Sequence, residues 1–266
     1  MILFPPAKIN LGLHVLKKRE DGYHDIDTCM VPIPLTDVLE ILPANDFKFV
    51  QTGLPVDGSS NDNLVVKAYR LLKDAYGIGD VYIHLRKNIP MGAGLGGGSA
   101  DATYTLLGLN ELFRLGLNPH ELRGLAIKLG SDCPFFVENI PQIAQLKGDF
   151  LTPISLDLGG YYLKVVNPRI HIGTTEAYAG VAIGTPEYFL EDTLVEPMTT
   201  WKNRVVNDFE ASAFTLHPSL GEIKEKLYAE GAVYASMTGS GSSMFGIYSE
   251  EPKTSFPDMF EKVVKL

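Results

Sequence analysis

Residues 90–103 read Pro-Met-Gly-Ala-Gly-Leu-Gly-Gly-Gly-Ser-Ala-Asp-Ala-Thr, with five glycines between Gly92 and Gly98. This run leads straight into residues 99–113, where Ala102, Leu106, Leu109 and Phe113 recur at the spacing of one helical face. Glycines packed before a helix let backbone N–H groups approach an anion closely, and the positive end of the helix points at the same place. A bare turn or a close helix contact also uses glycine, but such features rarely need five in so short a run. The stretch is expected to bind phosphate.

The better-known phosphate loops do not fit. A Walker loop needs a lysine before Ser99, and Gly98 stands there. Gly92, Gly94 and Gly97 match G-x-G-x-x-G, but a dinucleotide unit then requires a strand and an acidic residue ~20 positions on. A second helix follows instead. Asn118 reads as its N-cap, Pro119 as N1 and Glu121 as the capping-box residue, with Leu122, Leu125, Ala126 and Leu129 as its stripe and Gly130 as its stop. A protein-kinase glycine loop would come with a Val-Ala-Ile-Lys strand and a His-Arg-Asp loop, and the chain has neither. After Gly130, Pro134 disfavours helix at Cys133, so Asp132 is expected in a tight loop just past a helix end.

Working outward, Ala7, Ile9, Leu11, Leu13 and Val15 alternate with Lys8, Asn10, Gly12 and His14. This predicts a strand with one buried face and with Lys8 and Asn10 together on the other. Residues 38–42, 47–51, 81–86, 161–166, 233–237 and 244–248 also read as strands, the last two joined by a Thr-Gly-Ser-Gly-Ser-Ser turn. Helices are predicted over 63–76 and 218–230, and a last one over 256–264. A turn-rich stretch at 151–160 reads as a domain junction. Strands and helices mix without strict alternation, which predicts an α+β fold.

Composition narrows the function. The 266 residues are 45% hydrophobic and 21% charged, as in a globular protein, and the net charge is 23 − 32 = −9. Such a chain is not expected to bind bulk nucleic acid or an anionic membrane, so an anionic ligand needs a local device such as the glycine loop. Cys29 and Cys133 make no disulfide framework, the paired prolines Pro5 and Pro6 interrupt any signal-peptide core, and no run approaches ~20 apolar residues. A cytoplasmic location is expected. The histidines and the two cysteines show no metal-ligand spacing, which argues against a zinc site.

With these residues in hand, the glycine stretch resembles the ATP loop of the GHMP kinases, which include galactokinase, homoserine kinase and mevalonate kinase. The resemblance continues through Pro-Ala-Lys-Ile-Asn at 6–10, Asp-Gly-Tyr-His at 21–24, Asn-Asp-Asn-Leu at 61–64, Gly-Ser-Asp-Cys-Pro-Phe-Phe at 130–136, Val-Val-Asn-Asp-Phe-Glu at 205–210 and Met-Thr-Gly-Ser-Gly-Ser-Ser at 237–243. It implies a two-domain fold, with a ribosomal-protein-S5-like half over 1–153, a ferredoxin-like half over 154–266 and the active site in the cleft between them. ATP and Mg2+ are the implied cofactors. The implied acceptor is the 2-hydroxyl of diphosphocytidyl-methylerythritol, a small molecule of the non-mevalonate isoprenoid pathway, and the implied assembly is a monomer or weak homodimer.

The resemblance also assigns roles. Lys8 and Asp132 correspond to the catalytic pair. Pro90, Met91, Gly92, Ala93, Gly94, Leu95, Gly96, Gly97, Gly98, Ser99 and Ala100 correspond to the ATP loop, with Ser99 near the β/γ-phosphates or their Mg2+. Asn63 and Lys87 fall at adenosine-side positions. Asn10, Gly239 and Ser240 fall on the acceptor side, and Tyr23, His24 and Tyr178 at the cytosine. With Tyr23 and Tyr178 on either side of the division at 153, a base between them would tie the domains together.

The chemistry of the residues is compatible with these roles. Phosphoryl transfer to an alcohol needs a carboxylate to position or deprotonate the hydroxyl, and positive charge for the developing oxyanions. Plainer readings stand beside it. Lys8 could be a solvated strand residue, Asp132 could bond local backbone, Tyr23 and His24 could close a hairpin turn, and 237–243 could be only a turn between core strands. The alternatives to the implied activity are another GHMP kinase, such as one acting on homoserine, and a nucleotide-binding sensor without catalysis. The chain also departs from the family pattern at Ala144-Gln145-Leu146-Lys147-Gly148-Asp149, where one glycine is lost and a glutamate becomes aspartate, and at Thr103 and Cys133.

Overall fold

The computed structural model describes residues 1–55 and 59–266. In chain order its strands and helices begin with β1 (Ile2–Leu3), β2 (Pro6–Lys18), β3 (His24–Thr36), β4 (Val38–Pro43), β5 (Lys48–Gly53), α1 (Leu64–Tyr76) and β6 (Val81–Lys87). There follow α2 (Gly97–Leu112), α3 (Pro119–Ala126), α4 (Phe135–Glu138), β7 (Gln142–Leu146), β8 (Phe150–Pro153) and β9 (Tyr162–Asn167). The last are α5 (Thr174–Gly180), α6 (Leu190–Thr193), α7 (Phe209–Leu216), α8 (Pro218–Ala229), β10 (Tyr234–Met237), β11 (Met244–Tyr248) and β12 (Phe260–Lys265). The mixture is α+β, as expected.

The chain folds into two compact units that interleave along the sequence. One comprises Met1–Ala7, Leu35–Met91 and Gly96–Ile140. Its sheet has the order β1-β4-β6-β5, with β5 parallel to β6 and the other pairings antiparallel. Leu39, Ile41, Ile83 and Leu85 of the sheet pack with Val65, Ala68 and Leu72 of α1 and with Ala102, Leu106 and Leu109 of α2. Asn63 caps α1 by accepting the Val65 N–H at 2.9 Å. Asn118 and Glu121 close the predicted capping box on α3.

The other unit comprises Lys8–Pro34, Gly92–Leu95 and Pro141–Leu266. It holds two sheets, β2-β3-β7-β8 and β10-β11-β9-β12. Leu13, Val15 and Ile26 from the first share a core with Val166, Met237 and Met244 from the second and with Phe209, Leu220, Ile223 and Leu227 from α7 and α8.

Three expectations change. Strand β2 buries both faces, not one: Lys8, Asn10 and His14 are as enclosed as the apolar residues between them. Residues 256–264 do not form a helix, because Phe260–Lys265 pairs antiparallel along all of β9 and supplies that strand's second neighbour. Helix α3 ends at Ala126, short of Gly130. The Lys128 and Leu129 N–H groups bond to the carbonyls of Leu125 and Ala126, three residues back, which tightens the last turn.

Candidate active site

The glycine stretch follows β6 and runs into the start of α2. Gly96 is the N-cap of α2 with φ of 69°, a left-handed conformation that a Cβ disfavours. As glycine it brings no side chain to cap the helix, so the first N–H groups of α2 lack both an intrahelical partner and a capping side chain from the N-cap residue. Those donors are what an anion would use. Gly94, with φ of 77°, lies where a Cβ would come 2.0 Å from the Thr238 carbonyl oxygen. Ala93, Leu95 and Ala100 are buried and anchor the loop; Met91 is exposed and Pro90 and Gly98 are half-buried.

Lys8 is 3% exposed, so its solvated alternative is out. Its ammonium donates to Asn10 Oδ1 at 2.6 Å and to the Gly94 carbonyl at 3.1 Å, and its backbone N–H donates to the Leu95 carbonyl. A buried ammonium is costly unless polar atoms surround it, and these oxygens fix where it points. Asn10 is itself oriented: its amide nitrogen donates to Thr28 Oγ1 at 2.9 Å, which turns its oxygen to Lys8. Thr238 Oγ1 accepts the Asn10 backbone N–H at 3.0 Å and lies 3.1 Å from the Gly94 carbonyl. The turn after β10 therefore abuts the glycine loop, with a Cβ on Gly239 only 3.2 Å from Gly94 Cα. Gly239 is buried and Ser240 half-buried. Sequence reasoning missed Thr28 and Thr238. Thr238 sits inside the quoted 237–243 motif, but nothing marked its hydroxyl.

Asp132 lies half-buried in the turn that precedes α4, as expected. That turn rests on the first turns of α2. A Cβ on Gly130 would lie 3.9 Å from Ser99 Oγ, and Thr103 Oγ1 reaches the carbonyls of Ser99 at 3.0 Å and Cys133 at 2.8 Å. The two departures at Thr103 and Cys133 thus meet each other, and together they hold the residue after Asp132. Burial pushes the Cys133 thiol up to about 11 and that of Cys29 up to about 12, so both are protonated and unreactive at neutral pH.

The residues expected at the cytosine are arranged in two parts. His24 and Tyr178 stack on each other, with ring centroids 4.5 Å apart and planes within 15°, and Phe209 meets Tyr178 edge-on at 4.9 Å. Tyr23 stands apart at the tip of the β2–β3 hairpin, 62% exposed, with Lys147 Nζ 5.2 Å from its ring centre. His24 and Tyr178 belong to one compact unit, so a base held by this pair would not tie the two units together. Asn63 is occupied in capping α1 and donates to Gln51 Oε1 at 3.2 Å. Lys87 is fully buried between Asp37 and Asp101.

The profile of the GHMP kinases N terminal domain matches residues 63–139, which contain the glycine loop and Asp132, and that of GHMP kinases C terminal matches 191–263. A 4-diphosphocytidyl-2-C-methyl-D-erythritol kinase from Azobacteroides pseudotrichonymphae is 53% identical over 251 residues, covering 94% of each chain. The chain belongs to this family of GHMP kinases. A crystal structure of a 4-(cytidine 5'-diphospho)-2C-methyl-D-erythritol kinase superposes with a TM-score of 0.81 at 35% identity, covering 93% of this chain and 90% of that one. The homoserine kinase of Cytophaga hutchinsonii superposes at 0.67 with 17% identity over 99% and 93% of the two chains, a likeness of GHMP kinase fold alone. No helix among the described residues is long and apolar enough to cross a membrane.

Proposed function

We propose that this GHMP kinase transfers the γ-phosphoryl group of ATP to the 2-hydroxyl of 4-diphosphocytidyl-2-C-methyl-D-erythritol, a step of the non-mevalonate isoprenoid pathway. The observation that carries the proposal is the burial of Lys8 against the glycine loop, its ammonium on the Gly94 carbonyl and on an asparagine oriented from behind. A lysine enclosed there is placed for charge on phosphoryl oxygens rather than for solubility. Lys8 stabilises negative charge developing in the transfer, Asp132 orients the acceptor hydroxyl and takes its proton, and the N–H groups at the start of α2 hold the donor phosphates.

Residues Pro90 to Ala100 form the donor side, with Asn63 and Lys87 toward the adenosine. Asn10, Gly239 and Ser240 take the acceptor, and Tyr23, His24 and Tyr178 its cytosine. Among the described residues no group of three His, Cys, Asp or Glu could hold a metal by itself, whereas a single hydroxyl at a helix start suits a hard cation that keeps most of its ligands from phosphate and water. Ser99 would therefore hold Mg2+ together with ATP, and the ion would offset the charge of the phosphates. The family's domain division is taken at 153, and the enzyme is taken to act in the cytoplasm as a monomer or weak homodimer.

ATP consumption measured with 4-diphosphocytidyl-2-C-methyl-D-erythritol, homoserine and mevalonate tests the proposal. Turnover is expected with the first alone. Turnover with homoserine instead would move the chain to another GHMP activity, and binding of ATP with no turnover of any acceptor would make it a sensor.

A further inference from the structure

Beneath the start of α2 lies a buried ionic triad of which the proposed chemistry leaves two members, Asp37 and Asp101, without a role and places the third, Lys87, only toward the adenosine. Lys87, the last residue of β6 and 1% exposed, donates to Asp37 Oδ2 and, at 2.6 Å, to Asp101 Oδ2. The other oxygen of Asp37 accepts two successive backbone N–H groups, those of Asn88 at 2.5 Å and Ile89 at 2.9 Å, where the chain leaves β6 for the loop. Asp101 stands on α2, just past the helix start. A Cβ on Gly97, the first residue of that helix, would lie 3.3 Å from Lys87 Nζ and 2.9 Å from Ile89 Cγ2. The ammonium therefore lies against the helix turn whose N–H groups face the loop.

Stability alone does not call for this arrangement. Replacing a buried ion pair or triad with well-packed apolar residues is often neutral or stabilising. Here there are two acids to one base, and Asp101 Oδ1 is buried with no hydrogen-bond partner. What ionic groups add is direction, since an ammonium held by two carboxylates has one place to sit. We infer that Asp37, Lys87 and Asp101 are positioning residues for the phosphoryl donor, tying the strand that enters the glycine loop to the helix that leaves it. Asp37 clasps the entry, Asp101 rides on the exit, and Lys87 joins them. The inference rests on the glycine loop being the ATP cradle.

The test pairs Lys87→Met, which severs the tie and strands two acids, with Lys87→Met/Asp101→Leu, which severs it while removing one of those acids, restoring packing and leaving Asp37 on its two backbone N–H groups. ATP affinity by calorimetry, the KM of each substrate and the melting temperature are measured for both. Loss of two charge-directed backbone donors to the phosphates, at about 1.4 kcal/mol per factor of ten, corresponds to roughly 10- to 100-fold, and the ATP constant of both variants is expected to rise by that much. The acceptor KM should stay within about 2-fold, because the hydrogen bonds that hold the triad go to Asn88, Ile89 and its own members and to none of the residues proposed for the acceptor. The single variant should melt lower and the double variant should recover. If the double variant recovers both its melting temperature and its ATP affinity, the triad is only a packing element and the inference fails. Should Lys87→Met not fold, the double variant decides alone. If the unaltered chain binds no ATP, the cradle itself is misassigned and the inference falls with it; if it binds ATP and the double variant binds as tightly, only the inference falls.

Discussion

In the proposed function the glycine loop is given the phosphates and the His24–Tyr178 pair the base. They are encoded in different ways. The loop's requirements are local: Gly96 must take a left-handed φ and Gly94 must leave room for the Thr238 carbonyl, and both demands put glycine at that position in the sequence. The aromatic pair joins residues 154 positions apart, each ordinary in its own segment, and nothing but the fold brings the rings to 4.5 Å. A site built on backbone geometry leaves a mark in composition. One built on side chains from distant strands and helices leaves almost none.

The largest effect tests the chemistry next to the backbone-encoded half. Asp132→Asn keeps the shape of the turn on α2 and removes the carboxylate, so turnover should fall roughly 10²- to 10⁴-fold, the usual worth of a positioned acid–base group. ATP affinity should hardly move, since the donors at the start of α2 are untouched. Near-normal turnover by the folded variant would take Asp132 out of the reaction. Next comes Gly94→Ala, which forces a Cβ toward a backbone oxygen 2.0 Å away in a conformation that already disfavours it. The shift this demands at the cradle should weaken ATP binding by about 100-fold. Calorimetry that returns the original ATP affinity would place the phosphates elsewhere.

The same distinction separates what could be read along the chain from what could not. The capping box at Asn118 and Glu121 is a backbone device of one short segment, and it stands as expected. Strand β3 was not anticipated, because Pro32 and Pro34 argue against a strand interior. The structure accommodates them where β7 no longer pairs, since that partnership covers only Ile26 to Met30. Burial of the Lys8 face of β2 was likewise invisible, because alternation tells which residues share a face but not what later covers it. Thr28, on β3, and Thr238, in the turn after β10, orient Asn10 and thereby Lys8 from distant parts of the chain, and the partners of Lys87 are 50 and 14 positions away. Site residues could be placed on their elements by resemblance. Their hydrogen-bond partners are properties of the folded chain.

The base-contact half can be broken from the middle. Tyr178→Ala removes a ring that His24 and Phe209 already hold in place. Base stacking is worth ~1–3 kcal/mol, so the acceptor KM should rise roughly 5- to 150-fold. The proposed function gives this ring the base and not the transferring group, so the loss should be one of binding with kcat changed less. An unchanged acceptor KM with a shifted ATP constant would mean that the pair serves the donor instead.

The smallest effect is expected at Tyr23, although it neighbours His24. Its ring is 62% exposed, on a hairpin tip, and it meets Lys147 from the turn between β7 and β8, the segment that departs from the family pattern. An exposed cation–π contact is worth ~0.5–1 kcal/mol, and a ring open to water orders a base weakly. A base laid on so open a ring gains about 0.5–1 kcal/mol, below the usual stacking range, so Tyr23→Ala should raise the acceptor KM only about 2- to 5-fold at 1.4 kcal/mol per factor of ten. Lys147→Ala should cost less, and the double variant should cost no more than Tyr23→Ala alone, because the lysine acts through the ring. Initial rates across a range of acceptor concentrations measure all three. If Tyr23→Ala costs as much as Tyr178→Ala, the exposed ring closes onto the base when the acceptor binds, and the hairpin tip belongs to the clamp rather than to its rim. If the two single losses instead add in the double variant, Lys147 touches the acceptor directly, and the altered 144–149 turn has gained a contact of its own.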